Sequence, residues 1–142
     1  MRFPIWVAAA GAALLLFSCA SPPASTGHHE IDAGRETFRR VCVACHGAEG
    51  KGGSAPALTE VLETFPSCDD QVYWITLGSD RWSKEEGPTY GATGKPITAV
   101  MPSFEPTLSE QQIRQVAAYE RWVAGGQELE AAVSDCGLAP GG

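Results

Sequence analysis

VCVACHGAEG, residues 41–50, places Cys42 and Cys45 two residues apart, with His46 directly after the second. Thiols and an imidazole at this spacing suit three chemistries: a zinc site, a disulfide shuttle, or the covalent attachment of a haem. A four-thiolate zinc site would need Cys68 and Cys136 as well, and these lie far apart in sequence. A thioredoxin-like redox pair follows a strand and opens a helix. Here a helical stretch precedes the motif and the glycine-rich GAEGKGGS, residues 47–54, follows it. Two idle cysteines would leave the adjacent His46 without a reason. Haem attachment accounts for every member: the thiols form thioethers with two vinyl groups of a porphyrin, and His46 is then held under the iron as an axial ligand.

A closed iron needs a second ligand. The chain has three histidines and two methionines. His28 and His29 fall in a polar stretch before the domain, and Met1 is removed with an N-terminal leader. Met101 is left, in AVMPSF (residues 99–104), off any helical stripe and followed by a proline. A lone methionine is ordinarily core filler. A loop methionine beside a rigid neighbour suits a thioether aimed at a metal, and sulfur ligation raises the reduction potential of the iron.

The first twenty residues, MRFPIWVAAAGAALLLFSCA, carry one charge, Arg2, then an apolar run, then small residues. This is the pattern of an export signal, and the run is shorter than the roughly 20 apolar residues of a comfortable membrane span. Two processing sites are open. Leu16-Phe17-Ser18-Cys19 resembles a bacterial lipobox, which would make Cys19 the lipidated first residue. Ser18-Cys19-Ala20 suits an ordinary cut after Ala20. The lipoprotein is the favoured reading, with residues 1–19 as the signal and 20–30 as a flexible tether holding a domain off a membrane. Export implies an oxidising compartment. Cys68 and Cys136, the pair outside the motif, are therefore expected to be disulfide-bonded, stabilising by roughly 2–4 kcal/mol.

The chain carries 17 acidic against 10 basic residues, a net charge of -7. That balance argues against nucleic-acid binding and is compatible with basic docking partners or with solubility alone. Along the chain, Asp32 is expected to cap a helix over Ala33 to about Val41. Leu58, Val61, Leu62 and Phe65 recur at helical spacing before Pro66. Ser67-Cys68-Asp69-Asp70 signals a helix to Leu77 with Gly78 as its stop. Residues 79–100 show no period and read as a long loop, which needs something to pack on. Thr107 to Glu110 or Ser109 to Gln112 opens the last clear helix, striped by Ile113, Val116, Ala117 and Val123 and ended by Gly125-Gly126. The tail from Gln127 adds a helical turn before Cys136. No internal repeat and no strong strand signal is evident. Short helices and loops alone offer a modest core, and a large apolar cofactor would supply the missing interior.

In this order of features the chain resembles the class I c-type cytochromes over about residues 31–126. The features are Gly34 and Phe38 before the motif, then Cys42, Cys45 and His46, then Pro56 and Leu58 in GGSAPAL. MPSF and the terminal QVAAYERWV, with Tyr119 in its aromatic position, complete the series. The resemblance implies an all-α, small cytochrome c fold of short helices and loops wrapped on one covalent haem c. It implies that the first and last helices cross closely at Gly34. It also implies that the Pro56 carbonyl accepts a hydrogen bond from the second ring nitrogen of His46, and that Leu58 packs behind the haem. A long loop between Gly78 and Met101, extra cysteines and the acidic charge depart from a minimal member, and residues 127–142 are expected as a C-terminal extension of the domain.

The expected function is that of a one-electron carrier with His46/Met101 ligation, not an enzyme, exported to the periplasmic or extracytoplasmic face of a bacterial membrane. Its expected partners are redox proteins: a quinol-oxidising complex, an oxidase or a dehydrogenase. Two rivals stand beside this. One is a haem subunit permanently docked to a membrane oxidoreductase or terminal oxidase; the other is a gas-binding haem with Met101 merely packed nearby.

Overall fold

Helix α1, His29–Thr37, opens the fold in a computed structural model that describes residues 24–141. The expected signal and Cys19 lie outside the described residues. α1 presents Ile31, Gly34 and Phe38 on one buried face and continues without a break through a π-helical turn, Phe38–Cys42, into the short α2, Val43–His46. Such wider turns shift the register of side chains and recur at functional sites; this one ends at Cys42, immediately before the helical turn that carries Cys45 and His46. Asp32 does not cap the helix as expected. It lies one turn inside, and its carboxylate instead accepts hydrogen bonds from the backbone N–H and the hydroxyl of Thr26, both at 3.1 Å, and from the Ser25 hydroxyl. The short polar turn so formed ties residues 25–28 to α1, so the stretch expected as a tether up to residue 30 is already folded there, with His28 buried.

The next elements are short. Leu58 to Phe65 delivers a single helical turn, α3, Val61–Thr64. α4 runs Cys68–Glu85, its N-terminus capped by the Ser67 hydroxyl, which accepts from the Asp69 N–H at 3.1 Å. Gly78, the expected stop, does interrupt it, with φ 64°, but the chain resumes helical geometry to Glu85. The long loop expected over residues 79–100 is thus partly helix and partly a small hairpin, β1 (Thr89–Tyr90) paired antiparallel with β2 (Lys95–Pro96). What these residues pack on is α4: Tyr90 stacks on Trp74 with ring centroids 4.4 Å apart, and the Trp82 indole N–H donates to the Thr89 carbonyl at 2.8 Å.

α5, Glu110–Val123, begins with the second of the two expected signals. The Ser109 hydroxyl accepts from the Gln112 N–H, and the Gln112 side chain accepts from the Ser109 N–H at 3.0 Å. Such reciprocal caps satisfy two otherwise unpaired donors. Beyond it α6, Leu129–Asp135, makes the C-terminal extension a packed element. The Cys68–Cys136 disulfide fastens it to the start of α4, with Cα atoms 5.1 Å apart. Beside that bond Arg121, buried, donates to the carbonyls of Phe65 at 2.8 Å and Pro66 at 3.2 Å and to the Gln127 side chain at 3.0 Å.

The fold is mostly helical, as expected. Its central contact is α1 against α5, where Phe38 and Tyr119 meet with ring centroids 5.4 Å apart. Backbone approaches backbone at Gly34, because a Cβ there would overlap the Gln115 carbonyl. Gly34→Ala must push the helices apart, and overpacking of this kind costs about 1–3 kcal/mol. Urea unfolding of the holoprotein is expected to show a loss at the upper end of that range.

Candidate cofactor cavity

The motif enters the site through a chain of backbone hydrogen bonds. After His46 the glycine-rich loop folds back on the helix end: Gly52 N–H donates to the His46 carbonyl at 2.7 Å, and Ala55 N–H to the Cys45 carbonyl at 3.0 Å. This return brings the Pro56 carbonyl to 3.0 Å from Nδ1 of His46. A carbonyl oxygen only accepts, so Nδ1 carries the proton and Nε2 keeps the free lone pair. His46 is thereby oriented and made ready to ligate through Nε2. Leu58 follows, its own N–H donating to the Gly50 carbonyl at 2.8 Å.

Cys42, Cys45, His46, Pro56, Leu58 and Met101 all line one cavity that is partly open to solvent. The rest of the wall is largely apolar and aromatic, with Val61, Phe65, Trp74, Ile75, Tyr90 and Ile97 among its members. Cys42 is buried and Cys45 exposed, and both are free thiols. Burial pushes the Cys42 thiol far up from its ordinary value, with Glu120 and Cys45 adding in the same direction. Cys68 and Cys136 are not among the cavity-lining residues; they form the disulfide between the start of α4 and the end of α6.

Met101 reaches the cavity through a clamp that sequence reasoning did not find. Ser79 N–H donates to the Met101 carbonyl at 2.9 Å, and the Met101 N–H donates to the Ser79 hydroxyl at 2.9 Å. The close approach needs Gly78, since a Cβ there would lie 2.6 Å from the Met101 carbonyl oxygen. Ser103 adds a third tie, its hydroxyl donating to the Thr76 carbonyl at 2.6 Å. The break in α4 at Gly78 therefore does more than interrupt a helix: it exposes the backbone that seats the 101–103 segment.

A second unforeseen group is Glu120 of α5, on the cavity wall and buried. Its carboxylate accepts from the Gln71 side-chain amide at 2.9 Å. Burial pushes this carboxyl up to about 8, with the Gln71 hydrogen bond pulling the other way. The signal was present in the sequence, because Glu120 is four residues after Val116 and three after Ala117, on the apolar stripe of its helix.

A haem fits this donor set. Two free thiols and an imidazole with its tautomer set stand on one part of the wall, a thioether stands on the same cavity, and the lining between them is mostly apolar. The family model described as cytochrome c oxidase, cbb3-type, subunit III, matches residues 29–119. The chain belongs to this family. Subunit CcoP of the cbb3-type cytochrome c oxidase of Cereibacter sphaeroides is 34% identical over 97 residues, which cover 66% of this chain and 28% of that protein. Subunit FixP from a Bradyrhizobium species is 32% identical over 102 residues, covering 70% of this chain and 29% of that one. Among solved structures, cytochrome cL of Methylophaga aminisulfidivorans is similar, with 20% identity, 80% of this chain and 68% of that chain covered, and a TM-score of 0.41. The chain spans under a third of the length of the curated relatives it matches. It is a cytochrome c-type domain, and its family implies a covalently bound haem c.

Glu120 also makes stability depend on pH. Its folded value lies near 8 against an ordinary 4.5, so between these values the folded chain holds a proton that the unfolded chain has released. Its contribution is complete below about 4.5 and is lost as pH rises toward about 8. Thermal melts of Glu120→Gln holoprotein are expected to show a flatter decline across that window than the wild type.

Proposed function

We propose that this domain is a one-electron carrier holding a single haem c, with His46 and Met101 as its two axial ligands. The observation that carries the reading is the convergence of Cys42, Cys45, His46 and Met101 on one cavity. The single Cys-x-x-Cys-His stretch supports one haem. When bound, the haem supplies an iron that stores one electron. Cys42 and Cys45 hold it through thioethers, so it stays in place in both redox states. His46 ligates through Nε2, steadied by the Pro56 carbonyl. Ser79 and Gly78 hold the Met101 segment rigid, which keeps the thioether in place and limits rearrangement between states. With both axial positions taken by protein, the chain leaves no place for a substrate on the iron, which favours electron transfer over catalysis.

The relatives are named as subunits of cbb3-type cytochrome c oxidases. That favours a membrane oxidase as the partner, with this domain either delivering electrons to it or docked on it as a haem-bearing subunit. Val100, 87% exposed beside Met101, gives a partner an apolar point of contact at the cavity mouth. Export across a bacterial membrane, with Cys19 lipidated and the folded unit of residues 31–126 extended by 127–142, completes the proposal. Among the described residues no helix is long and apolar enough to cross a membrane.

Two experiments test this. Replacing both Cys42 and Cys45 with Ser is expected to abolish covalent haem in denaturing gels. Met101→Ala is expected to keep the haem attached, to admit carbon monoxide and to lower the potential. An unchanged spectrum and potential would rule Met101 out as a ligand.

Cys19→Ser is expected to leave an unprocessed or differently cut protein that no longer partitions into detergent. Intact mass of the native protein checks it directly: a mature N-terminus at Ser21 with no lipid would replace the anchored reading with a secreted one.

A further inference from the structure

Two carboxyl groups stand on the cavity wall: Glu60 pairs with Lys95, and Glu120 accepts from a neutral amide instead of a cation. It is 6% exposed, and its side chain accepts one hydrogen bond, from Gln71, a neutral amide that is itself buried. The nearest guanidinium stands one amide further on. Nη1 of Arg121 lies 3.4 Å from the Gln71 carbonyl oxygen, and the rest of the guanidinium is engaged by the Phe65 and Pro66 carbonyls, the Gln127 side chain and Asp135 at 3.6 Å.

Among the described residues no counter-charge acts on Glu120; burial and the Gln71 hydrogen bond are what shift it. From the haem motif the facing group is the Cys42 thiol, which becomes an uncharged thioether in the holoprotein. On α1, Arg35 pairs with Asp32 at 2.9 Å, and on the π-helical turn after it Arg39 and Arg40 are exposed. On α3, Glu63 is exposed, and on α6, Asp135 faces Arg121. On α5 itself the neighbours are Tyr119 and Arg121. Elsewhere on the cavity wall Lys95 and Glu60 neutralise each other at 2.7 Å.

A carboxyl in such a place is ionised only at a cost, unless a positive charge stands nearby. The haem iron is such a charge, and it changes by one unit. Ferric iron favours the carboxylate; ferrous iron favours the neutral acid. We propose that Glu120 is a proton-binding site coupled to the redox state of the haem, so that this domain takes up a proton with its electron. On reduction one electron passes from a one-electron donor to the iron, and one proton from water joins a Glu120 oxygen. On oxidation the electron leaves to the acceptor and the O–H proton returns to water. The inference rests on the haem reading above. Burial already lifts this carboxyl to about 8, which puts the exchange near neutral pH.

The sign follows. The oxidised form has the lower pKa of the two. Below both values the carboxyl is protonated in either state and the potential is flat. Between them the potential falls as pH rises, by up to about 59 mV per pH unit for a one-electron couple. Above both it is flat again.

The test is redox titration of wild-type and Glu120→Gln holoprotein between about pH 5 and about pH 10, a range that brackets the ordinary and the raised carboxyl values. Glutamine keeps an oxygen to accept from Gln71. The wild type is expected to show the sloping window and the variant to lose it. A redox-difference infrared spectrum of the wild type supplies a second reading. A protonated carboxylic C=O band that grows on reduction and shifts in heavy water is expected, and it should be missing from Glu120→Gln. A pH-independent wild-type potential, an unchanged slope in the variant, or a wild-type infrared spectrum without that band overturns the proposal. The infrared measurement decides alone if the variant does not fold. Wild-type protein with no covalent haem would overturn both readings, whereas a haem with a flat potential overturns only this one.

Discussion

The backbone contact between α1 and α5 at Gly34 sets both walls of the cavity. α1 runs through a π-helical turn into Cys42, Cys45 and His46, so its position against α5 decides where the thiols and the imidazole stand. From the other partner, α5 carries Tyr119, Glu120 and Arg121 one to two turns beyond the crossing at Gln115. Tyr119 packs on Phe38, Glu120 turns to the cavity, and Arg121 turns to the Phe65–Pro66 corner. Three consecutive residues thus serve three surroundings, which is possible because a helix rotates by about 100° per residue. The same corner receives the Cys68–Cys136 bond, so α4 and α6 are both referred back to α5.

The two sides of the cavity are held by different forces. On the motif side the attachment is helical and packed, with Phe38 and Cys42 buried. On the Met101 side Met101 and Phe104 are only partly buried against the core, and Val100 and Pro102 are exposed. The segment is fixed there by hydrogen bonds to Ser79 and Thr76, across the break that Gly78 makes in α4. Directional bonds suit a segment that must hold one side chain steady at a surface, where burial cannot do so. Each such bond contributes only about 0.5–1.5 kcal/mol net, so several are needed together.

Much of this was legible in the residues. Cys42, Cys45 and His46 share a spacing open to three chemistries, and the helical stretch before them and the glycine-rich loop after them select haem attachment as the expected one. Ser109 with Gln112, Ser67 before α4 and the conformational demand at Gly78 are local signals, and the structure shows each acting locally. The misses have a common physical cause. Asp32 looked like a cap because local rules favour it there; its partners are instead Ser25 and Thr26, upstream of the helix that His29 begins. The hairpin at Thr89–Pro96 has strands of two residues, too short for a period, and it forms because Trp74 and Trp82 offer a surface. Ser79 has no signal at all, since its partner Met101 lies 22 residues away. The candidate site was readable as a set of ligands, and the groups that position them were not.

Glu120 and Gln71 are hard to explain as stabilising features. A leucine at 120 would match the stripe of Val116 and Ala117 and would fill the wall without needing a partner. A buried polar pair whose charge is uncompensated ordinarily weakens a fold, and exchange for apolar residues is often neutral or stabilising. The pair is nevertheless well built: the amide donates to the carboxylate at 2.9 Å, and its oxygen is turned toward Arg121. Gln71 therefore cannot flip without placing its oxygen against the carboxylate and its N–H₂ group against the guanidinium. The orientation that Arg121 enforces presents a donor to Glu120 and keeps the cation itself at one amide's distance. A direct ion pair would hold the carboxyl ionised and insensitive to its surroundings. The interposed amide leaves it able to respond to a charge that appears on the other side, in the cavity.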